Sequence, residues 1–218
     1  MKDLLRVVHN SIFKSYIDEL KSETNDCQSI LDVGCGVNSP VQYLSRDMHR
    51  VGVDVYGPAI ETSKRRSIHN EYFEMNLDNI DREFAEGLFD CVLASDVIEH
   101  VTKEDGLALI KKMEHVAKHK VIIFTPRGFI PQDEHDGNPW QMHKSGWEVK
   151  EMEDLGYRVI GISGLKWVWD IGFLWTKRDD ANIFVRLLRK VLVDFTQFYA
   201  RNHPEYAYQI MCIKTIVK

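Results

Sequence analysis

The sequence predicts an α/β domain: a seven-stranded, mostly parallel sheet with helices on both faces and an aromatic helical insertion before the last strand. Three observations predict it. Short β-branched runs alternate with stretches of helical periodicity along most of the 218 residues, the pattern of βαβ units that close a parallel sheet. Runs such as Val121-Ile122-Ile123-Phe124 are apolar at every position, as a strand covered on both faces must be. The length suits one domain, residues 1–218, with room for an insertion and a full core.

Residues 1–24 read as an N-terminal helical extension, with Leu5, Val8, Ile12 and Tyr16 on one helical face. Its charges are scattered and it has no unbroken apolar core, so it is expected to pack as a helix and not to serve as a secretion signal or membrane span. Strands are expected at 30–34, 51–55, 72–75, 89–94, 121–125, 157–162 and 206–217, with helices around 40–48, 58–67, 81–86 and 104–117. Ser145-Gly146-Trp147-Glu148 has capping-box spacing, which opens a helix to about Leu155 that stops at Gly156. The insertion, 165–204, begins with LKWVWDIGFLW, which holds three of the five tryptophans. A helical pattern follows, with Phe184, Leu187, Leu188, Val191, Leu192, Phe195 and Phe198 on one broad face.

Composition narrows the partners. A net charge of −5 argues against nucleic acid, whose phosphates require clustered excess Lys and Arg. Only Lys64-Arg65-Arg66 and the group Arg186, Arg189 and Lys190 come near such a cluster, and both read as solvated helix faces. Cys27, Cys35, Cys91 and Cys212 are widely spaced without a C-x-x-C pair. Reduced thiols, and hence a cytoplasmic protein, are expected.

The chemistry starts at Ile30-Leu31-Asp32-Val33-Gly34-Cys35-Gly36. Two glycines after a strand let the backbone turn sharply and approach a ligand closely, beyond the carboxyl ends of the strands where parallel sheets bind ligands. A dinucleotide site wants a third glycine under its pyrophosphate; here Val37, Asn38 and Ser39 follow. The ligand is therefore expected to lack a pyrophosphate. Asp54, twenty residues after Gly34 at the end of the second strand, is placed to accept from both ribose hydroxyls. An adenosine with a free ribose diol and a compact zwitterionic tail satisfies both features, and S-adenosylmethionine is such a molecule.

At these residues the chain resembles the class I S-adenosylmethionine-dependent methyltransferases, in particular the type 11 group. The resemblance rests on ILDVGCG, VGVDV, YFEMNLDNI, FDCVLASDVIEHV and KVIIFTP, and runs from about Ser29 to Gly164. It implies a Rossmann-like seven-stranded sheet whose last strand is antiparallel. It also implies that Asp32, Gly34, Cys35 and Gly36 surround the methionine end of the cofactor. Asp54, with Val55 beside it, would hold the ribose, Asn76 and Leu77 would lie at the adenine, and Ser95 and Asp96 would face the methyl group. Asn76 stands where the group usually has an acid, and Asp78 is an alternative contact.

Asp96, Glu99 and His100 are spaced i, i+3, i+4 and project to one side of a helical turn. Some members of the resembled family hold a divalent metal with acid-acid-His here, and His143 is the best fourth ligand. The preferred reading leaves metal out and takes Glu99-His100 as shaping the mouth of the pocket. His135, Gln141 and His143 lie in a polar loop after the fifth strand, where α/β enzymes build substrate sites. His143 either meets the acceptor or packs against a helix start. His100 and His143 are the candidate general bases.

The acceptor is expected to be a small molecule with an oxygen nucleophile. Neither Asn-Pro-Pro-Tyr, Asp-Pro-Pro-Tyr nor Pro-Cys follows the fourth strand, against methylation of nucleic-acid bases. A nicotinamide-dependent oxidoreductase would want the third glycine and a Tyr-x-x-x-Lys, and the sequence has neither. A non-catalytic S-adenosylmethionine-binding protein is the other alternative. Residues 165–204 fit a lid over an apolar acceptor, a peripheral membrane contact, or a homodimer interface or core extension, with the last preferred.

Overall fold

The computed structural model describes residues 14–134, 137–170 and 183–217. Seven strands form one sheet: β1 (Ser29–Val33), β2 (His49–Asp54), β3 (Glu71–Glu74), β4 (Phe89–Ser95), β5 (Ala117–Pro126), β6 (Arg158–Leu165) and β7 (Ala207–Thr215). Their order is β3-β2-β1-β4-β5-β7-β6. The first five run parallel, and β7 lies antiparallel between β5 and β6. The chain reverses its direction of growth between β1 and β4, so their carboxyl ends flank the crevice that such a switch creates.

Side-chain alternation on the central strands explains their continuous apolar runs. Val121 and Ile123 of β5 point to a core shared with Leu109, Ile110 and Met113 of α4 (Lys103–Val116) and Met152 of α5 (Val149–Asp154). Ile122 and Phe124 point to the other face and meet Leu20 of α1 (Tyr16–Glu23), Val41, Leu44 and Met48. Both faces are dry, so neither parity of the strand tolerates a polar residue. Two helices join β2 to β3 and β3 to β4: α2 (Gly57–Arg65) and the single turn α3 (Ile80–Glu83).

Several local expectations are corrected. Residues 40–48 form a 3-10 turn, Pro40–Tyr43, and not a helix. The buried Arg50 guanidinium takes the carbonyls of Leu44 (3.3 Å) and Ser45 (2.5 Å) that a helix would need. The helix expected over 81–86 is shorter, because Asn76 first nucleates the 3-10 turn Leu77–Asn79. Ser145 does not cap α5. The reciprocal capping pair is Glu148 and Glu151, while the Ser145 hydroxyl donates to the Ile98 carbonyl (3.0 Å). Gly156 does stop that helix, at φ +88.

The insertion is only partly described: 171–182, with Trp175, lies outside the described residues, as do the expected face residues Leu5, Val8 and Ile12 and the candidate His135. Its described parts are α6 (Lys166–Asp170) and α7 (Ile183–Asn202). Helix α7 packs antiparallel on β6, but with its polar side inward. Thr196, Gln197 and Ala200 are buried, whereas Leu187, Leu188, Val191, Phe195 and Phe198 are exposed. The cause lies in β6. A Cβ on Gly161 would fall 2.0 Å from the Ala200 carbonyl oxygen, and one on Gly164 2.6 Å from Thr196 Oγ1. The helix sits on bare backbone, and Gln197 satisfies that backbone, accepting from Gly164 N–H (2.8 Å) and donating to the Gly161 carbonyl (3.0 Å). An extension of the apolar core is therefore not what this face provides. Among the described residues no helix is long and apolar enough to cross a membrane.

Candidate active site

The loop after β1 is bent by Gly34 (φ +67) and Gly36 (φ +56), both in the left-handed region that other residues avoid. Gly34 is also forced by space, since a Cβ there would lie 2.6 Å from Val97. The bend is tied to β2: Cys35 N–H donates to the Val53 carbonyl (2.9 Å) and Gly36 N–H to Asp54 Oδ2 (2.8 Å). Tyr56 N–H donates to the other Asp54 oxygen (2.8 Å). Burial pushes the Asp54 carboxyl up while these N–H donors pull it down.

Beneath the loop, Asp32 meets a partner that sequence reasoning missed. Its Oδ2 lies 2.8 Å from His69 Nε2, with both side chains buried, and His69 Nδ1 is 3.2 Å from Ser63 Oγ. The signal for it was Gly52, in the middle of β2, where a Cβ would fall 2.9 Å from the imidazole.

A two-lobed cleft opens above the strand ends. One lobe, of about 340 Å³, is lined by Asp54, Val55, Tyr56, Leu77 and Trp140 among others. The second, of about 470 Å³, is lined by Asp32, Cys35, Ser95, Glu99, His143 and Tyr208 among others. Gly34, Gly36, Asp96, His100 and Gln141 belong to both. The structure therefore gathers the sequence candidates among the described residues on one cleft, except Asn76 and Asp78. The Asn76 side chain accepts from Asp78 N–H (2.9 Å) and forms a turn at the rim. Asp78 is likewise outside the lining and faces Lys112 of α4 at 3.8 Å.

The second lobe holds the titratable cluster. Asp96 occupies the left-handed region (φ 54), held by its N–H donating to the Phe124 carbonyl (2.8 Å). Asp96 is exposed to the open cleft, and the walls crowding its carboxyl hinder hydration and push it up, to about 7. Glu99 is buried, and burial together with the charge of Asp96 pushes it up to about 8. Its Oε2 accepts from Thr125 Oγ1 (2.9 Å), while Oε1 finds no hydrogen-bond partner among the described residues. His100 is pushed down to about 4, first by burial and then by His143. The two rings meet edge to face at 4.8 Å.

Donor chemistry at this cluster fits a divalent cation. Glu99, His100 and His143 each bring a ligand atom within 4.8 Å of the others. Nδ1 of His143 lies 2.6 Å from the Ile130 carbonyl and that of His100 3.3 Å from the Met142 carbonyl. A carbonyl partner requires the proton on Nδ1, which leaves the Nε2 lone pair free, the arrangement typical of metal-binding histidines. The orphaned Glu99 oxygen completes a mixed oxygen and nitrogen set of the kind zinc or manganese accepts.

What holds the cluster rigid was not predicted. The 3-10 turn Ile98–His100 is clamped from below by fully buried Trp147. Its indole N–H donates to the Ile98 carbonyl (3.2 Å), and Lys144 and Ser145 N–H both donate to the Glu99 carbonyl (2.7 and 3.1 Å). Gly106 makes the room, since a Cβ there would lie 2.6 Å from the Trp147 ring. The Tyr16 hydroxyl donates to Ser95 Oγ (3.1 Å), with the ring stacked on Phe124 at 3.9 Å. On the far wall Tyr208 stacks on Trp169 (4.5 Å), over which Arg189 lies (5.3 Å).

Known proteins share this architecture. Residues 31–125 match the family described as a methyltransferase domain. The phosphoethanolamine N-methyltransferase of Plasmodium falciparum is 29% identical over 94 residues, a match that spans 41% of this chain and 35% of that protein. The chain thus covers about a third of the length of the curated relative it matches. A S-adenosylmethionine-dependent methyltransferase from Archaeoglobus fulgidus superposes with a TM-score of 0.57 at 14% identity, over 96% of this chain and 99% of that one. Magnesium protoporphyrin IX methyltransferase from Synechocystis, solved with bound S-adenosylmethionine, gives 0.51 at 16% identity, over 98% and 82%. At these identities the two solved structures are likenesses of fold.

Proposed function

We propose that the chain, whose residues 31–125 match a methyltransferase domain, is a type 11-like, class I S-adenosylmethionine-dependent methyltransferase that passes the cofactor's methyl group in line to a small, hydroxyl-bearing acceptor. The observation that carries this reading is the polar second lobe, continuous with the glycine loop and furnished with Asp96, Glu99, His100, Gln141, His143, Tyr208 and Gln209. In this reading the adenosine lies in the first lobe, with the Asp54 carboxylate on its ribose diol and Leu77 against its base. The methionine end turns over Gly34–Gly36 toward Ser95 and Asp96, and the acceptor enters from the side of His143.

A sulfonium methyl is already electrophilic, so the protein's task is alignment and exclusion of water. Effective molarities in well-oriented pairs are worth about 7–11 kcal/mol. The acceptor hydroxyl must also lose a proton. His100, pushed down to about 4, is neutral at physiological pH but a weak base. His143, whose Nε2 is left free to accept because Nδ1 faces the Ile130 carbonyl, is our candidate to take that proton. If Glu99, His100 and His143 instead held a divalent cation, the Nε2 lone pair of His143 would be spent on it, and the cation, in place of the histidine, would make a coordinated hydroxyl more acidic. The four cysteines are free and three of them buried, which supports work in a reducing, cytoplasmic compartment.

The test is transfer of label from methyl-labelled S-adenosylmethionine to a panel of hydroxylated acceptors, with phosphoethanolamine as the nitrogen arm suggested by the Plasmodium relative. We expect label on oxygen and a loss of about 10²-fold or more in kcat for His143→Ala, with cofactor binding unchanged. Label on the phosphoethanolamine nitrogen would overturn the oxygen reading, and full turnover by His143→Ala would overturn the role of His143 as base.

A further inference from the structure

The outward face of α7 has a pattern of its own. Leu187, Leu188 and Val191 occupy its first half and Phe195, Phe198 and Tyr199 its second, each between 45% and 75% exposed. The helix is not free to roll this face onto the sheet. Its back is pinned to β6 by the Gln197 bonds to Gly161 and Gly164 and by Thr196 Oγ1, which accepts from Leu165 N–H (3.2 Å). Its end is pinned to α1 by Arg201, whose Nε donates to Glu19 (2.5 Å).

We propose that this face pairs with the same face of a second copy of the chain, the two α7 helices lying antiparallel about a two-fold axis level with residue 193. That register sets every aliphatic side chain of one copy opposite an aromatic of the other: Val191 against Phe195, Leu188 against Phe198, Leu187 against Tyr199. An isologous contact requires this kind of self-complementarity. Leu188, Val191, Phe195 and Phe198 are spaced 3-4-3, the period of a seam between two helices. By the areas aromatic and aliphatic side chains bury, the six present about 600–700 Å² per copy, close to the roughly 800 Å² a side of a standard interface.

Charge favours a protein partner over a lipid surface. Interfacial helices border their apolar face with excess Lys and Arg. Helix α7 has four cations, Arg186, Arg189, Lys190 and Arg201, to the single acid Asp194, but Lys190 is paired with Asp194 (2.6 Å), Arg201 with Glu19, and Arg189 lies over Trp169, while the chain as a whole carries −5.

Sedimentation velocity on the full chain tests the proposal. The wild type is expected to be a dimer at micromolar concentration, and Phe195→Glu a monomer with unchanged circular dichroism. The register has its own test. Val191→Phe and Phe195→Val should each weaken the dimer at least tenfold, while the double variant, which re-creates the same cross-axis pair inverted, restores it. A wild type that stays monomeric to about 100 μM overturns the proposal, as does a dimer indifferent to Phe195→Glu. So does a double variant no better than its parents. A monomer that co-sediments with phosphatidylcholine–phosphatidylglycerol vesicles through Phe195 would assign the face to a membrane, and a monomer destabilised by deletion of residues 2–13 would assign it to the chain's own N-terminus.

Discussion

Glu99 is a buried acid with one oxygen bonded to Thr125 and the other unmatched. In the metal-free protein it is held up to about 8 against 4.5 when unfolded. Between those values the folded state binds a proton that the unfolded state does not, so its contribution to stability falls as pH rises. His100, pushed down to about 4 from 6.5, works the other way, its contribution rising with pH between those two values. Of Glu99, Asp96 and His100, only the carboxyls act above pH 6.5: Glu99 and, up to about 7, Asp96. We therefore predict that Glu99→Gln, which mimics the protonated acid, raises Tm at pH 8 by several degrees in the presence of a chelator and changes it little at pH 5. A Tm that falls equally at both pH values would show that the carboxyl is held ionised.

At the level of elements, the clamp beneath the site makes a prediction whose sign runs against propensity. Gly106 lies inside α4, where Gly→Ala ordinarily stabilises by about 0.8–1 kcal/mol. Here the added methyl meets the Trp147 ring at 2.6 Å. Gly106→Ala should instead destabilise by about 1–3 kcal/mol, as overpacking does, read by urea unfolding; a stabilised variant would show that Trp147 yields freely. The strands were legible because their two-sided burial writes an unbroken apolar run. The segment 40–48 was misread because its structure is decided by Arg50 of the next strand, a contact no local pattern records. Ser145 was misread for a similar reason. Its spacing to Glu148 suits a cap, but Trp147 must reach Ile98, and that contact draws the serine into the site and starts the helix at Val149.

Over the whole molecule, the reversal between β1 and β4 brings together residues from 32 to 209, far apart in sequence. The cofactor-side candidates were legible, since each lies at the end of an apolar run and carries a backbone or charge requirement of its own. The partners that tune them were not: His69 under Asp32 and Trp147 under Glu99 announce themselves only through the glycines that make room for them. The inverted packing of α7 was hidden as well, because the apolar stripe was visible but the polar seat on Gly161 and Gly164 depends on tertiary contact. The central claim is that the Gly34–Gly36 bend and the Asp54 carboxylate converge on one adenosine. Calorimetry with S-adenosylhomocysteine tests it most directly. One site per chain at micromolar Kd, weakened at least tenfold by Asp54→Ala, is the result predicted; no heat at millimolar ligand, or binding indifferent to Asp54→Ala, would contradict it.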